Sequence, residues 1–143
     1  MNNLFKFTVL ILLTISTQAV GNENFFKEAK NLFDKGKIEE SKFLFQRNIV
    51  FNPKDSKSYL YLAKIYETEE NDVEKEKNIN TTLLLEPDNE EAMYMLIDVK
   101  LKKSDFEQVK KLRNDFEVIC KTLCSKVKSI DERLINIEAK NES

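Results

Sequence analysis

The sequence predicts an all-α protein, an α-solenoid of about three helical hairpins with a C-terminal capping helix. Two prolines, Pro53 and Pro87, stand 34 residues apart, and each follows an apolar run. Helical patterns of apolar residues precede both prolines in the same phase. A period of about 34 residues is typical of stacked helical hairpins, which usually hold another polypeptide.

The composition fits one helical domain. Two glycines and two prolines among 143 residues leave few helix breakers, and charged residues make up 34% of the chain. The net charge is −2, with lysine and glutamate interleaved along most of the sequence. Such a pattern lacks the basic patch that binds nucleic acid or an anionic bilayer, so we expect neither as a partner.

Residues 1–21 are predicted to be an export signal peptide. Lys6 supplies a positive charge, residues 7–13 form a short apolar core, and small residues follow, so that cleavage after Ala19 and cleavage after Gly21 both fit. The alternative is an uncleaved membrane anchor, but the core falls short of the roughly 20 apolar residues that span a bilayer. We therefore expect an exported chain without stable membrane insertion, in the periplasm or, alternatively, secreted.

The helical domain is predicted to span residues 22–143, and its first hairpin covers about residues 22–55. A break at Gly36 separates two helices, and Pro53 ends the second one. Apolar residues recur at helical spacing in both helices. They are Phe25, Ala29, Leu32 and Phe33, followed by Ile38, Phe43, Phe45, Ile49 and Phe51.

The second predicted hairpin covers about residues 56–89. Ser56 is a residue type that favours the N-cap of a helix, and Pro87 ends the hairpin. The second helix is predicted near residues 73–85. The apolar positions are Tyr59, Leu62, Ala63 and Tyr66, followed by Ile79, Leu83 and Leu85.

The third predicted hairpin covers about residues 90–121. It turns at Ser104 and Asp105, and it lacks the terminal proline, having Lys121 there. Its apolar residues again recur at helical spacing. They are Met93, Leu96, Ile97 and Leu101, followed by Phe106, Val109, Leu112, Phe116 and Ile119.

Residues 122–140 are predicted to form the capping helix. Its apolar residues recur at intervals of four and three and make one stripe, formed by Leu123, Val127, Ile130, Leu134 and Ile137. Such a helix would cover the apolar face of the last hairpin. A second interpretation is that the stripe joins two copies of the chain, although it extends over only about two heptads.

The hairpins resemble the tetratricopeptide repeat (TPR). The resemblance rests on Gly36 and Pro53, on the run at residues 105–109, and on the stripe Tyr59, Leu62, Ala63 and Tyr66. It implies a right-handed superhelix. Lys75 takes the place of a small packing residue of the family, a departure that leaves the length or register of the preceding loop open.

The resemblance also implies a concave groove in which relatives bind a peptide or protein segment. The groove is lined by the first helix of each hairpin, and its ligand-contacting positions form one mostly apolar row and one charged row. They fall on Phe26, Lys30, Phe33, Leu60, Lys64, Glu67, Tyr94, Asp98 and Leu101. Packing inside the first hairpin is an equally good interpretation for Phe33. The Lys and Asn clamp with which some relatives hold a C-terminal carboxylate is missing.

The residue types argue against catalysis. The chain has no histidine, which excludes imidazole acid–base chemistry, histidine-activated nucleophiles and histidine metal ligation. Adjacent carboxylates such as Glu39 and Glu40 point about 100° apart on a helix and cannot converge on one bond. Gly21 and Gly36 are isolated, so no phosphate-binding loop is indicated. We expect no enzyme activity, no cofactor and no metal site.

Cys120 and Cys124 are the only thiols, four residues apart near the end of the third hairpin. In a continuous helix such positions lie near the limit of disulfide reach, about 6 Å between Cα atoms, so a bridge fits best where the chain bends. Export and an even cysteine count favour the bridge. Two buried free thiols are the alternative.

Three function classes follow. The sequence favours an exported, non-catalytic adaptor or scaffold that binds a peptide or protein segment in the groove. The alternative is a self-assembling structural subunit of an envelope complex, a homo-oligomer joined through the C-terminal helix. A more remote alternative is a thiol redox protein that uses Cys120 and Cys124, although their spacing is not Cys-x-x-Cys.

Overall fold

The computed structural model describes residues 22–141, and within them the chain forms seven helices and no strand. The predicted signal peptide, residues 1–21, lies outside the described residues. The all-α class and the helical hairpins predicted from the sequence are confirmed. The helices are α1 (Asn22–Asp34), α2 (Ile38–Phe51), α3 (Ser56–Thr68), α4 (Asp72–Leu85), α5 (Glu90–Lys102), α6 (Phe106–Ile119) and α7 (Lys126–Asn141).

The chain forms two compact units. The first, described from residue 22 to residue 53, contains the hairpin α1–α2. The second, residues 54–143, contains the hairpins α3–α4 and α5–α6, and α7 packs against α6 as α5 packs against α4. None of the described helices is long and apolar enough to cross a bilayer.

The three hairpin turns share one backbone conformation. Their middle residues, Gly36, Glu70 and Ser104, have positive φ angles of 74°, 55° and 55°. In each turn the next residue donates its N–H to a carbonyl five positions earlier, with N···O distances of 2.9, 2.9 and 3.0 Å. This is the Schellman arrangement that ends many helices. Because the three residues lie 34 positions apart, the backbone carries the same period as the prolines.

Side-chain caps fix the starts of the later helices. The side chains of Asn71, Asn89 and Asp105 accept the N–H three residues on, at 3.1, 2.9 and 3.3 Å. The start of α3 differs from the sequence prediction, because its N-cap residue is Asp55, and Ser56 is the first helical residue and is buried.

Each unit has its own apolar core. In residues 1–53, Ala29 and Phe45 are fully buried, and the Phe26 and Phe45 rings lie 5.8 Å apart. In residues 54–143, the core unites buried side chains of α3 to α7. It contains Leu60, Ala63, Ile79, Ala92, Met93, Met95, Leu96, Ile97, Val99, Leu101, Val109, Leu112, Phe116, Ile130 and Leu134.

The loop before α4 keeps the length and register of the other hairpins. It has three residues, Glu69 to Asn71, as the other two turns do. Lys75 is fully buried in α4, and its Nζ lies 2.6 Å from Glu67 Oε1. The departure from the family pattern is therefore accommodated by an ion pair and not by a change in the loop.

Candidate functional site

Charged and aromatic side chains link α3, α5 and α7 within residues 54–143. Lys64 Nζ on α3 lies 2.8 Å from Glu91 Oε1 on α5. Further along α5, the Tyr94 ring centre lies 5.6 Å from Lys126 Nζ of α7, and Asp98 pairs with Arg133 of α7. α7 thus takes the place of the first helix of a further hairpin. We call this surface the first-helix face and define it by Lys64, Glu91, Tyr94, Asp98, Lys126 and Arg133.

The predicted groove residues of α3 have different surroundings. Leu60 is buried in the core. Lys64 is half-buried, and besides its pair with Glu91 its Nζ lies 4.8 Å from the centre of the Tyr61 ring. Glu67 is exposed at the end of the helix and holds the ammonium of Lys75. Lys64 and Glu67 therefore offer polar atoms at the surface, and Leu60 stabilises the fold.

Among the predicted groove residues of α5, one is likewise buried in the core and two are half-buried at the surface. Leu101 is buried in the core. The Tyr94 ring is half-buried, with its centre 6.1 Å from that of Phe116. Asp98 is half-buried beside Arg133. The structure thus brings Tyr94 and Asp98 together on the first-helix face, one turn apart.

The three predicted residues of α1 belong to the other unit. Phe26 packs against Phe45, and Lys30 Nζ lies 2.5 Å from Asp34 Oδ2 one turn further along the helix. Phe33 is half-buried, and its carbonyl accepts the N–H of Gly36 in the hairpin turn. Their contribution to ligand binding stays a prediction.

The first-helix face contains three residues that the sequence prediction did not include. Glu91, Lys126 and Arg133 complete the links between helices. Their spacing carried a partial signal, since Lys126 and Arg133 are seven residues apart and therefore share one side of α7. Their partners on α5 lie 32 and 35 residues earlier, so only the fold reveals the pairs.

The segment that leads into α7 is fixed by a disulfide and a carboxylate. The Sγ atoms of Cys120 and Cys124 lie 2.08 Å apart, and both residues lie in the non-helical segment that follows Ile119, so the pair is not part of a continuous helix. Glu90, at the start of α5, accepts the N–H groups of Thr122 and Leu123 at 2.9 and 2.8 Å. These bonds, the one from Leu123 foremost, hold the pKa of Glu90 below its usual value. α7 consequently begins at Lys126 and not at residue 122.

Two further ion-pair groups fix the helices around the face. Arg113 of α6 donates two hydrogen bonds to Asp131 of α7, at 2.7 and 2.9 Å, and lowers the pKa of that carboxyl group. Glu76 of α4 accepts from Lys100 at 2.7 Å and also from Lys103, and both ammonium groups lower its pKa. Bidentate and shared pairs of this kind fix orientation better than single surface contacts do.

Among the described residues, no group of three or more Cys, Asp or Glu side chains is placed to hold a metal ion. The arrangement offers hydrogen-bond donors and acceptors and one aromatic ring. Chemically, such a face can bind a polypeptide, because its ion pairs and the tyrosine ring can exchange their present contacts for contacts with a partner.

Comparison with known proteins shows the fold. No protein-family description and no curated relative matches the sequence. The structure is similar to the type III secretion translocator chaperone SycD of Yersinia enterocolitica, with a TM-score of 0.72 and 16% identity over 95% of this chain and 94% of SycD.

Two solved complexes are also similar. SycD bound to a peptide of the translocator YopD gives a TM-score of 0.70 at 15% identity, over 83% of this chain and 93% of that one. The first TPR domain of Spaghetti (RPAP3) bound to an HSP90 peptide gives 0.65 at 14% identity, over 78% and 93%. The resemblance in the sequence and the similarity in the structure agree, and the chain has a tetratricopeptide-repeat-like fold.

Proposed function

We propose that this chain is an exported, non-catalytic adaptor that binds a peptide or protein segment on the first-helix face of residues 54–143. The observation that supports this most is the row of polar and aromatic side chains, most of them half-buried, that links α3, α5 and α7. Two of the similar structures, SycD and the RPAP3 domain, hold peptides, which favours the same use of the fold here.

Tyr94 is the residue that we expect to contribute most to binding. Its ring is rigid and half-buried, packed beside Phe116, so a partner gains contact area while little side-chain entropy is lost. Lys64 and Asp98 lie on either side of it along the face and would select the charge of the partner. Their present ion pairs, with Glu91 and Arg133, are partly solvated and can be exchanged at low cost.

The packing of α7 makes the self-assembly alternative less favourable. The apolar stripe that would join two copies lies against the core of the same chain, with Ile130 and Leu134 buried and Leu123, Val127 and Ile137 partly buried. The thiol alternative would need this bridge to open and close during turnover, and the pair lacks the Cys-x-x-Cys spacing typical of such proteins. A disulfide also suits the oxidising compartment that export would provide.

The binding proposal is tested by site-specific cross-linking followed by affinity measurement. A photoreactive p-benzoylphenylalanine replaces Tyr94 in one protein and the exposed Val118 of α6 in a control, and each is illuminated with an extract of the native envelope. We expect a discrete adduct from position 94 alone. A synthetic peptide of the captured segment is then titrated by calorimetry.

The variants decide the outcome of that titration. We expect Tyr94→Ala to weaken binding about tenfold or more, Lys64→Glu to change it severalfold, and Val118→Ala to leave it unchanged. Equal adducts from positions 94 and 118, or a peptide affinity that Tyr94→Ala does not alter, would place the binding surface elsewhere. Export is tested separately, by N-terminal sequencing of the protein from the native host, for which we expect a start after Ala19 or Gly21.

A further inference from the structure

The hairpin α1–α2 carries an open depression of about 490 Å³ that no step of the proposed function uses. Its apolar part consists of Leu32 on α1 and of Phe43 and Leu44 on α2. Phe43 is 61% exposed, although exposing a phenylalanine ring to water costs more free energy than exposing most other side chains. The depression is therefore a candidate for contact with another molecule.

Every charged side chain that lines the depression is a carboxylate. Glu28 of α1 and Glu39 and Glu40 of α2 surround the apolar part. Glu40 forms an exposed ion pair with Lys37, whose Nζ lies 3.2 Å from Glu40 Oε1. Lys27 of α1 and Lys35 of the following turn line an adjoining depression, which also includes Glu28 and Leu32. The lining of the apolar depression itself is therefore acidic, with Lys37 as a counter-ion at Glu40.

The charge of the depression favours some binding partners over others. Two copies of the chain that met through this face would bring six of these carboxylates to one interface, since an isologous contact repeats the same surface twice. An anionic lipid surface would be repelled in the same way. A polypeptide segment with large apolar residues flanked by lysine or arginine would cover the ring of Phe43 and form ion pairs with the glutamates around it.

We propose that this depression, formed by Leu32, Phe43, Leu44, Glu28, Glu39 and Glu40, binds a cationic amphipathic segment of another protein. The site is separate from the first-helix face, because none of its residues belongs to residues 54–143. The protein would then hold two polypeptides, one on each unit.

The test is fluorescence anisotropy with the full chain and two synthetic 14-residue peptides. Both carry leucine and phenylalanine on one helical face, and the polar positions are lysine in one peptide and glutamate in the other. We expect the lysine peptide to bind with a dissociation constant in the micromolar range, at least about tenfold more tightly than the glutamate peptide, and to weaken as salt is raised.

Matched variants locate the binding. Phe43→Ser should weaken the lysine peptide about tenfold or more, whereas Val50→Ser, at an exposed apolar residue of the same helix, should leave it unchanged. Glu28→Gln/Glu39→Gln should weaken it severalfold and flatten its salt dependence. Glu107→Gln/Glu132→Gln, with the same change of net charge on the other unit, should have no effect. Circular dichroism of every variant checks that the helices are retained.

Three outcomes would overturn the proposal. Equal affinity for both peptides, or equal losses from Phe43→Ser and Val50→Ser, would show non-specific adsorption. Concentration-dependent dimerisation in light scattering, abolished by Phe43→Ser and without peptide binding, would assign the depression to a second copy. The function proposed for the first-helix face is independent of all three, because Tyr94→Ala should not alter binding of the lysine peptide.

Discussion

Lys75 occupies a tightly packed position of α4, and yet its charge keeps a partner. The residue is 0% exposed, whereas the side chain of Glu67, 2.6 Å away, is 48% exposed. The methylene stem of Lys75 therefore fills the space between helices and delivers the ammonium to the edge of the hairpin. Removing Glu67 would leave that ammonium without its charged partner, while an apolar side chain of similar volume at position 75 would keep the packing.

We predict that Glu67→Gln lowers the free energy of unfolding by about 1–2 kcal/mol, since the ammonium of Lys75 loses its charged partner and keeps only a neutral amide oxygen as acceptor. Lys75→Met should change it by less than about 1 kcal/mol, because the stem volume is retained. Urea denaturation at pH 7 measures both, with Glu107→Gln as the surface control. A larger loss from Lys75→Met than from Glu67→Gln would show that the charge of Lys75 is needed for more than this pair.

For single residues, the sequence predicted which helix positions carry a side chain better than it predicted whether that side chain is buried. Lys64, Tyr94 and Asp98 lie at the surface as the family alignment implied, but Leu60 and Leu101, which shared that alignment, are buried. An apolar side chain at a ligand-contacting position has no reason to stay in solvent when neighbouring helices offer a core. Lys75 could not be interpreted at all until the turn brought Glu67 within reach.

Among the helices, α7 has two different sides. Ile130 is fully buried in the core, and Lys126 and Arg133 reach α5 on the first-helix face. Ile135, on the outer side, is 63% exposed. The helix thus closes the apolar end of the hairpin α5–α6 and contributes charge to the surface that we propose binds a partner.

We predict that Ile130→Ala lowers the free energy of unfolding by about 2–4 kcal/mol, the usual range for a buried isoleucine. Ile135→Ala, the same change on the same helix, should alter it by less than about 0.5 kcal/mol. Chemical denaturation followed by circular dichroism measures the two. Similar small values for both variants would mean that α7 does not pack on the core in solution, and would revive the interpretation of its stripe as a contact between copies.

The helices were predictable because local signals set them. Apolar spacing gave the hairpins, and glycine, serine and proline marked their ends, so α1 to α6 lie close to their predicted positions. The start of α7 was not predictable, because Glu90 is more than 30 residues away from the N–H groups that it accepts. A sequence window cannot contain both partners of such a bond.

On the scale of the whole unit, residues 54–143, carboxylates join segments that are distant in the chain. Glu76 connects α4 with α5, Glu90 holds the disulfide loop, and Asp131 connects α7 with α6. The pKa of each is lowered, by Lys100, by the N–H of Leu123 and by Arg113 respectively. Glu86 behaves in the same way, chiefly through its hydrogen bond from Ser56.

These directions give the pH dependence of stability. A carboxyl group whose pKa is lowered in the folded state binds its proton more readily in the unfolded chain, so its contribution is complete above the unfolded pKa and is lost as the pH falls through the folded value. We predict a free energy of unfolding that is nearly constant from pH 7 to about pH 5 and falls below about pH 4.

Denaturation at a series of pH values, followed by circular dichroism, tests this. Glu90→Gln and Asp131→Asn should be less stable than the parent at pH 7 and should lose less stability on acidification, because each has one such carboxylate fewer. Glu107→Gln, at an exposed glutamate, should follow the parent curve. A curve that falls equally steeply for all four proteins would mean that these bonds do not set the acid sensitivity.

A residue with a positive φ angle recurs in each of the three hairpin turns, and this recurrence has a practical consequence. Only the first turn has glycine at that position, while Glu70 and Ser104 adopt the same conformation with a side chain that opposes it, at about 1 kcal/mol each. Both residues are exposed, and neither is among the residues that define the first-helix face or the depression. Glycine at positions 70 and 104 is therefore a route to a sturdier scaffold in which both recognition surfaces remain untouched.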